Sequence, residues 1–408
     1  MKIFHIIIGH PLQFQGGVEN YVRTLADLQS KLGHDVSVLA EHRTKINDAK
    51  YKIYTLNTEK LYRNLFGEMY DKKQYNIVKN ILIEGAFDII HVHLTLGLDW
   101  NILNLIEQYH YVVSLHDYYF LCPRIQMIDK KRRICEKYSS DKCKHCVNYL
   151  ERYQVYRIGE RFINQIVKSK TIRIYLKQKA TEKRYYIHKK FLENANVLLP
   201  VSEKVKEVFL NSNINGNYKV LHIGNITADS FEKINKIYNN QHINIAMLGT
   251  LSYMKGADIF CRIANETNNP LLKFMFWGNS ATYKEQLKIY NIVDYGPYRQ
   301  SELTDILKDV HLGLVLPVWQ DNAPQVVMEF LNNKIPVIAT SMGGITDFIN
   351  ERNGYLFDPF DEIEFKKLID FINSLTMIKI QKMADSIKRT KTPLEHAMEL
   401  IDIYSLEE

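Results

Sequence analysis

Short apolar runs alternate along the chain with stretches of helical periodicity. Residues 3–8 read as a buried parallel strand. From Val18 the pattern turns helical, with Val22, Leu25, Leu28 and Leu32 continuing one stripe; Gly33 ends that helix and residues 36–39 form the next strand. Further strands are expected at residues 87–93, 111–117, 196–201 and 219–225, with Ser202 capping the helix after the third of these. Residues 51–80 are polar and aromatic with weak periodicity, and read as cover over an acceptor site or as plain surface. A polar, turn-prone stretch then runs to about Gln241. The pattern restarts at residues 243–249, 273–278, 312–316 and 336–339, with Ser301 expected to cap a helix between the second and third; after residues 353–357 the chain is helical to its end. This doubled β-then-α alternation predicts an α/β protein with two doubly wound, Rossmann-like domains facing a cleft. The expected limits are 1–228 and 229–385, with 386–408 a C-terminal helix packing back on the first domain.

In such sheets, ligands bind outside the carboxyl ends of the strands. Several chemically apt residues fall there. Gly16-Gly17 lies at the first strand-to-helix turn, where backbone N–H groups can approach a phosphate or simply make a tight turn. His93 and His116, the latter followed by Asp117, close two successive strands. Gly249 and Lys255 follow the first strand of the second domain, a plausible diphosphate clamp. Between residues 317 and 345, two successive strand ends present Asp321, a helix start after Pro324, Glu329 within that helix, and Gly343-Gly344. Carboxylates for hydroxyls and amides for anions suit a sugar carrying a phosphate.

Composition narrows the class without deciding it. The chain has 408 residues, a net charge of +7 and 26 tyrosines, which fits a soluble globular protein with an anionic ligand or an acidic membrane surface nearby. The N-terminal apolar run leads into a glycine loop rather than a cleavage site, and no apolar stretch nears the roughly 20 residues of a membrane span. A cytoplasmic protein is therefore expected. Cys122, Cys135, Cys143 and Cys146 include one C-x-x-C pair; they read either as a structural four-cysteine zinc site or as reduced thiols in a loop knot, and the neighbouring Arg132 and Arg133 favour thiolates. Cys261 reads as a buried helix residue. Residues 151–190 are basic and aromatic, and read as a helix lying on the inner face of the cell membrane or as a solvated face packed on the domain. No nucleic-acid module is present, so nucleic acid is not expected as a partner.

Taken together, these motifs resemble the GT-B glycosyltransferases of family four. The resemblance spans nearly the whole chain: Gly16-Gly17-Val18-Glu19, His116-Asp117, Gly249 through Lys255-Gly256, Asp321 eight positions before Glu329 with Pro324 between, and Gly343-Gly344. The segment from His116 through Cys122-Pro123-Arg124 to the paired cysteines resembles a subset that builds bacterial polysaccharides. The resemblance implies a retaining, metal-independent hexosyltransferase that uses a UDP- or GDP-sugar and a glycan or lipid-linked glycan acceptor, with no catalytic cofactor. It implies catalytic roles for His116, Lys255 and Asp321. It implies donor binding by Gly16, Gly17, Thr250, Pro324, Gln325, Val326 and Glu329, the last through the ribose hydroxyls. Two positions depart from the family pattern: Asp321 stands for a glutamate, and Thr250 for an arginine that would face the diphosphate. A sugar-nucleotide epimerase and a catalytically weak partner subunit are the competing readings. A dinucleotide-dependent oxidoreductase lacks its G-x-G-x-x-G.

Overall fold

A computed structural model describes residues 1–7, 9, 16–41, 50–56, 72–146, 169–236, 238 and 241–406. The chain divides into two compact units, Met1–Leu221 with His396–Glu408, and His222–Glu395. Each is built on a six-stranded, wholly parallel sheet.

In the first unit the strands are β1 (Lys2–Ile6), β2 (Asp35–Glu41), β3 (Lys52–Leu56), β4 (Ile89–Val92), β5 (Tyr111–Leu115) and β6 (Val197–Pro200), in the order β3-β2-β1-β4-β5-β6. The chain winds outward from β1 to β3, then restarts beside β1 at β4. That reversal is the point where crossovers on opposite faces leave a crevice at the strands' carboxyl ends. β1, β4, β5 and β6 are buried on both faces apart from Lys2, which is why they read as continuous apolar runs. β3, at the sheet edge, has two exposed and two half-buried positions before the buried Leu56, so no apolar run announces it. The core on one face joins Ile3, Val22, Leu25, Val38, Ile89 and Val112 to Ala397, Leu400, Ile403 and Tyr404 of the last helix, Pro393–Leu406.

The second unit repeats the plan with β7 (Ile243–Thr250), β8 (Leu272–Asn279), β9 (Val293–Asp294), β10 (Leu312–Val315), β11 (Val337–Thr340) and β12 (Gly354–Phe357), ordered β12-β11-β10-β7-β8-β9. Its switch point lies between β7 and β10.

Two local expectations are corrected. Residues 219–225 do not form a strand: Tyr218 makes a single bridge to Leu198, Leu221 donates its N–H to the Pro200 carbonyl, and the chain then leaves the sheet. At Gly224 it runs so close to Thr392 that a Cβ would lie 2.4 Å from the Thr392 carbonyl oxygen. Ser301 caps no helix. The turn Gln300–Glu302 is instead closed by the Glu302 carboxylate, which accepts the Arg299 N–H at 2.7 Å, and the helix proper is Leu303–Leu307. Ser202 does cap its helix, accepting from the Val205 N–H.

Candidate functional site

Three neighbouring strands of the second unit end in loops that are bonded to one another. The Val318 N–H donates to the Met254 carbonyl, linking the loops after β10 and β7. Thr340 Oγ1 donates to the Pro317 carbonyl, the Gly343 N–H to Gln320 Oε1, and the Gly344 N–H to the Asp321 carbonyl, linking the loops after β11 and β10. Gly343 has φ +65°, and a Cβ there would lie 2.0 Å from the Asp321 carbonyl oxygen, so the close approach requires glycine. Gly256 has the same role after β7, with φ +81° against the Leu316 carbonyl.

On this scaffold Lys255 and Asp321 meet across the switch point, Nζ to Oδ2 at 2.6 Å. The ammonium also stands 5.6 Å from the centre of the Trp319 ring. Asp321 is buried while Lys255 stays half exposed, so the pair keeps one open side. The helix Gln325–Asn332 starts after Pro324 with no side-chain cap, which leaves its first amides to another acceptor; Gln325 itself is held by the Asn225 side chain at 2.8 Å. One turn further on, Glu329 is buried. Its carboxyl is pushed up by burial, a shift opposed by the 3.1 Å hydrogen bond it accepts from Gln300 Nε2. Burial, with the Glu329 charge adding to it, raises the nearby Tyr298 phenol to about 12. Thr250 is exposed at the carboxyl end of β7. Gln300, Gln320 and Asn225 carry no sequence signal of their own; only the fold brings them here.

In the first unit Gly16 precedes the helix Gly17–Lys31, again with no side-chain cap. The residues between it and Gly9 lie outside the described ones. His116 follows β5; it is half-buried and bonds the edge of a buried set of rings, His5, His91 and His93. Burial lowers His5 and His116 to about 4 and takes His91 and His93 well below the usual imidazole value, so all four are neutral at pH 7. Among the described residues, His5, His91 and His93 form the only set of three candidate metal-ligating side chains within 4.8 Å of one another. Every ring nitrogen of these three is already hydrogen-bonded to a protein group.

The four loop cysteines lie near one another and form no disulfide. Cys122 Sγ accepts backbone N–H bonds from Arg124 and Met127, and the Cys135 N–H donates to the Met127 carbonyl. Burial raises Cys122 to about 11 and Cys143 to about 12, and raises Cys135 as well. Arg133, exposed and bonded to Asp129 at 2.8 Å, pulls Cys135 down, but desolvation outweighs it there. Cys261 is a buried helix residue. Of the basic segment, residues 151–168 lie outside the described ones, and the helix Lys170–Glu193 follows. Arg184 is buried in the domain and donates to the Tyr119 and Phe120 carbonyls, while Ile172, Tyr175 and Tyr186 are exposed.

Comparison with known proteins agrees with this architecture. Residues 15–152 match the family model Glycosyltransferase Family 4, and residues 242–373 match Glycosyl transferases group 1. The chain is 27% identical over 196 residues to Protein CapJ of Staphylococcus aureus, covering 45% of this chain and 48% of CapJ, about half the length of that relative. It is 24% identical over 364 residues to a 42.6 kDa protein in the cps region of Klebsiella pneumoniae, covering 81% and 83%. Its fold matches HepE of Anabaena in complex with UDP, with a TM-score of 0.66, 12% identity and complete coverage of both chains. The same protein in complex with UDP-glucose matches with a TM-score of 0.61 at 13% identity, again over both whole chains.

Proposed function

Because the chain belongs to the glycosyltransferases of the GT-B fold, with a family-four half and a group-1 half, we propose that it moves a sugar from a nucleotide-diphospho-sugar to a hydroxyl of a glycan or lipid-linked glycan. The transfer retains anomeric configuration and uses no metal for catalysis. The observation that carries this reading is the Lys255–Asp321 pair across the β7/β10 switch point, next to an uncapped helix start and the buried Glu329. Glu329 accepts the ribose hydroxyls, a task for which a carboxylate offers two oxygens. Lys255 and the first amides of the helix Gln325–Asn332 meet the charge that grows on the departing diphosphate, where electrostatic stabilisation has its largest effect. The anomeric C–O bond to phosphate breaks, and the acceptor oxygen bonds to the same face. The hydroxyl proton leaves toward the phosphate oxygen. His116 accepts a hydrogen bond from the acceptor side. The complexes of HepE with UDP and with UDP-glucose support a uridine donor, and the CapJ and cps-region relatives support surface-polysaccharide synthesis. No helix among the described residues is long and apolar enough to cross a membrane. The exposed Ile172, Tyr175 and Tyr186 on a basic helix support an acceptor presented at an acidic membrane face.

The test is calorimetric titration with UDP, GDP and their sugar conjugates. At least one nucleoside diphosphate binds the wild-type protein, and Glu329→Ala weakens it about 10- to 100-fold, the loss expected for hydrogen bonds to a charged group. No binding by any of them overturns the donor assignment. Release of an epimer from a labelled sugar nucleotide without acceptor replaces transfer by epimerisation.

A further inference from the structure

Four histidines of the first unit, His5, His91, His93 and His116, belong to a single hydrogen-bond chain, of which the proposed chemistry uses only His116. His5 on β1 is in register with His91 on β4. His93, Ser114 and His116 share their face of the sheet by the two-residue alternation of strands. Starting from the outer end, His116 Nε2 lies 3.1 Å from His93 Nδ1, His93 Nε2 lies 2.9 Å from His5 Nδ1, and His5 Nε2 lies 2.7 Å from Gln29 Oε1. The other end of the same amide continues the chain. Gln29 Nε2 faces the Tyr404 hydroxyl at 3.5 Å, that hydroxyl is 2.6 Å from His91 Nδ1, and His91 Nε2 is 2.7 Å from Ser114 Oγ. Ser114 bonds the Tyr21 hydroxyl, which is 2.7 Å from His396 Nε2.

Neutral imidazoles and hydroxyls can each reverse donor and acceptor by moving a proton. Gln29 cannot, because its acceptor and donor are different atoms. Its carbonyl oxygen can only accept from His5 Nε2, so His5 Nδ1 must accept from His93 Nε2, and His93 Nδ1 must accept from His116 Nε2. On the other branch the amide N–H donates to Tyr404, Tyr404 to His91 Nδ1, His91 Nε2 to Ser114, Ser114 to Tyr21, and Tyr21 to His396. Every bond then runs in one sense from His116 to His396. We infer that Gln29 is a positioning residue whose amide orientation sets the tautomer of His116, committing its Nε2–H inward and making Nδ1 the accepting atom of the ring. Burial of His5, His91 and His93 supports this, because a neutral chain keeps one polarity only where protons are not exchanged with charged forms. The use of Nδ1 toward an acceptor hydroxyl rests on the function proposed above; the tautomer itself does not.

The experiment is a two-bond 1H–15N correlation on the full-length protein labelled with 15N-histidine at pH 7, with His116 and His93 assigned by loss of signal in His116→Gln and His93→Gln. The expected result is a proton on Nε2 of His5, His91, His93 and His116 and on Nδ1 of His396. In Gln29→Leu, His116 shows the averaged shifts of a mixed tautomer, and kcat falls about tenfold with donor KM unchanged. In Tyr404→Phe, His91 changes while His116 keeps its Nε2 proton, since the Gln29–His5–His93 branch remains. A His116 proton on Nδ1 in the wild-type protein overturns the inference, as does an unchanged His116 in folded Gln29→Leu. The wild-type spectrum decides the polarity even where a variant does not fold. It needs no substrate, so absence of transfer alongside the expected tautomers removes the transferase reading and leaves the inference standing.

Discussion

At the β1/β4 switch point the polar groups are neutral rings, hydroxyls and one amide, bonded end to end and buried except for the half-buried His116 and Tyr21. At the β7/β10 switch point they are a lysine and two carboxylates, held on loops tied together through their backbones. The two sheets have the same strand order, so topology does not decide the chemistry. What differs is which residue types follow the strands. In the first unit, His5 and His91 lie on the strands, bonded to Gln29 of the helix Gly17–Lys31 and Tyr404 of the last helix, while His93 and His116 follow the strands, and desolvation removes their charge. In the second, the groups come one loop further out, where Lys255 keeps contact with water. The second switch point therefore presents an ammonium and carboxylates, and the first a pattern of neutral donors and acceptors.

The sharpest way to break that contrast is to remove the charge. Lys255→Ala is expected to lower kcat for transfer about 100- to 1,000-fold, the range seen when one stabilising group is taken from developing negative charge. Steady-state kinetics with a sugar-nucleotide donor measures it, alongside a thermal melt, because the variant also leaves the buried Asp321 without its 2.6 Å partner. Kinetics within a few-fold of wild type would move the protein toward a weakly catalytic partner subunit.

The two regions were unequally readable from sequence. The charged site was mostly legible: Asp321, Pro324, Glu329 and Gly343-Gly344 fall within one stretch, between two apolar strands whose ends the pattern locates. Its supports were not. Gln300 reaches Glu329 from 29 residues away, and glutamines have no periodicity to mark them. The histidine chain was legible only as strand-end rings. Its organiser, Gln29, lies on the buried face of a helix 24 residues from His5, and Tyr404 reaches His91 across 313 residues. Such partners are set by packing of the last helix on the sheet, which no local pattern encodes. Arginines adjoin the cysteines in sequence and favour thiolates, while burial, a property of the fold, pulls Cys122 and Cys143 the other way.

Acid separates the two regions more mildly. An unfolded histidine takes up a proton near pH 6.5, whereas folded His5 and His116 do so only near 4, and burial likewise holds His91 and His93 well below the usual imidazole value. Below pH 6.5 the unfolded chain therefore binds protons that the folded one refuses. Stability contributed by these rings is full above pH 6.5 and is lost as pH falls toward 4, with a slope of up to about 1.4 kcal/mol per pH unit for each ring. In the second unit, His311, also lowered to about 4, adds a smaller effect of the same sign. Hydrogen exchange at pH 7 and pH 5 should show β1, β4 and β5 losing protection before β7 and β10; equal loss in both sheets would remove the histidine chain as the acid-sensitive element.

The smallest expected effect comes from adding charge where the second region lacks it. Thr250 is exposed at the carboxyl end of β7, the strand whose following loop carries Lys255. Thr250→Arg would place a guanidinium, able to bond phosphate through two N–H groups, beside a site that now relies on one ammonium shared with Asp321. Solvent screening at an exposed position limits the gain to about 1 kcal/mol, or about fivefold tighter binding of a nucleoside diphosphate. Calorimetry at low and high salt measures this, and the gain should shrink as salt rises. The double variant with Lys255→Ala is the decisive form: if Thr250→Arg recovers part of the affinity that Lys255→Ala loses, both positions address the same anion. If it recovers none, the diphosphate lies away from the end of β7 and the helix start at Gln325 must carry its charge alone.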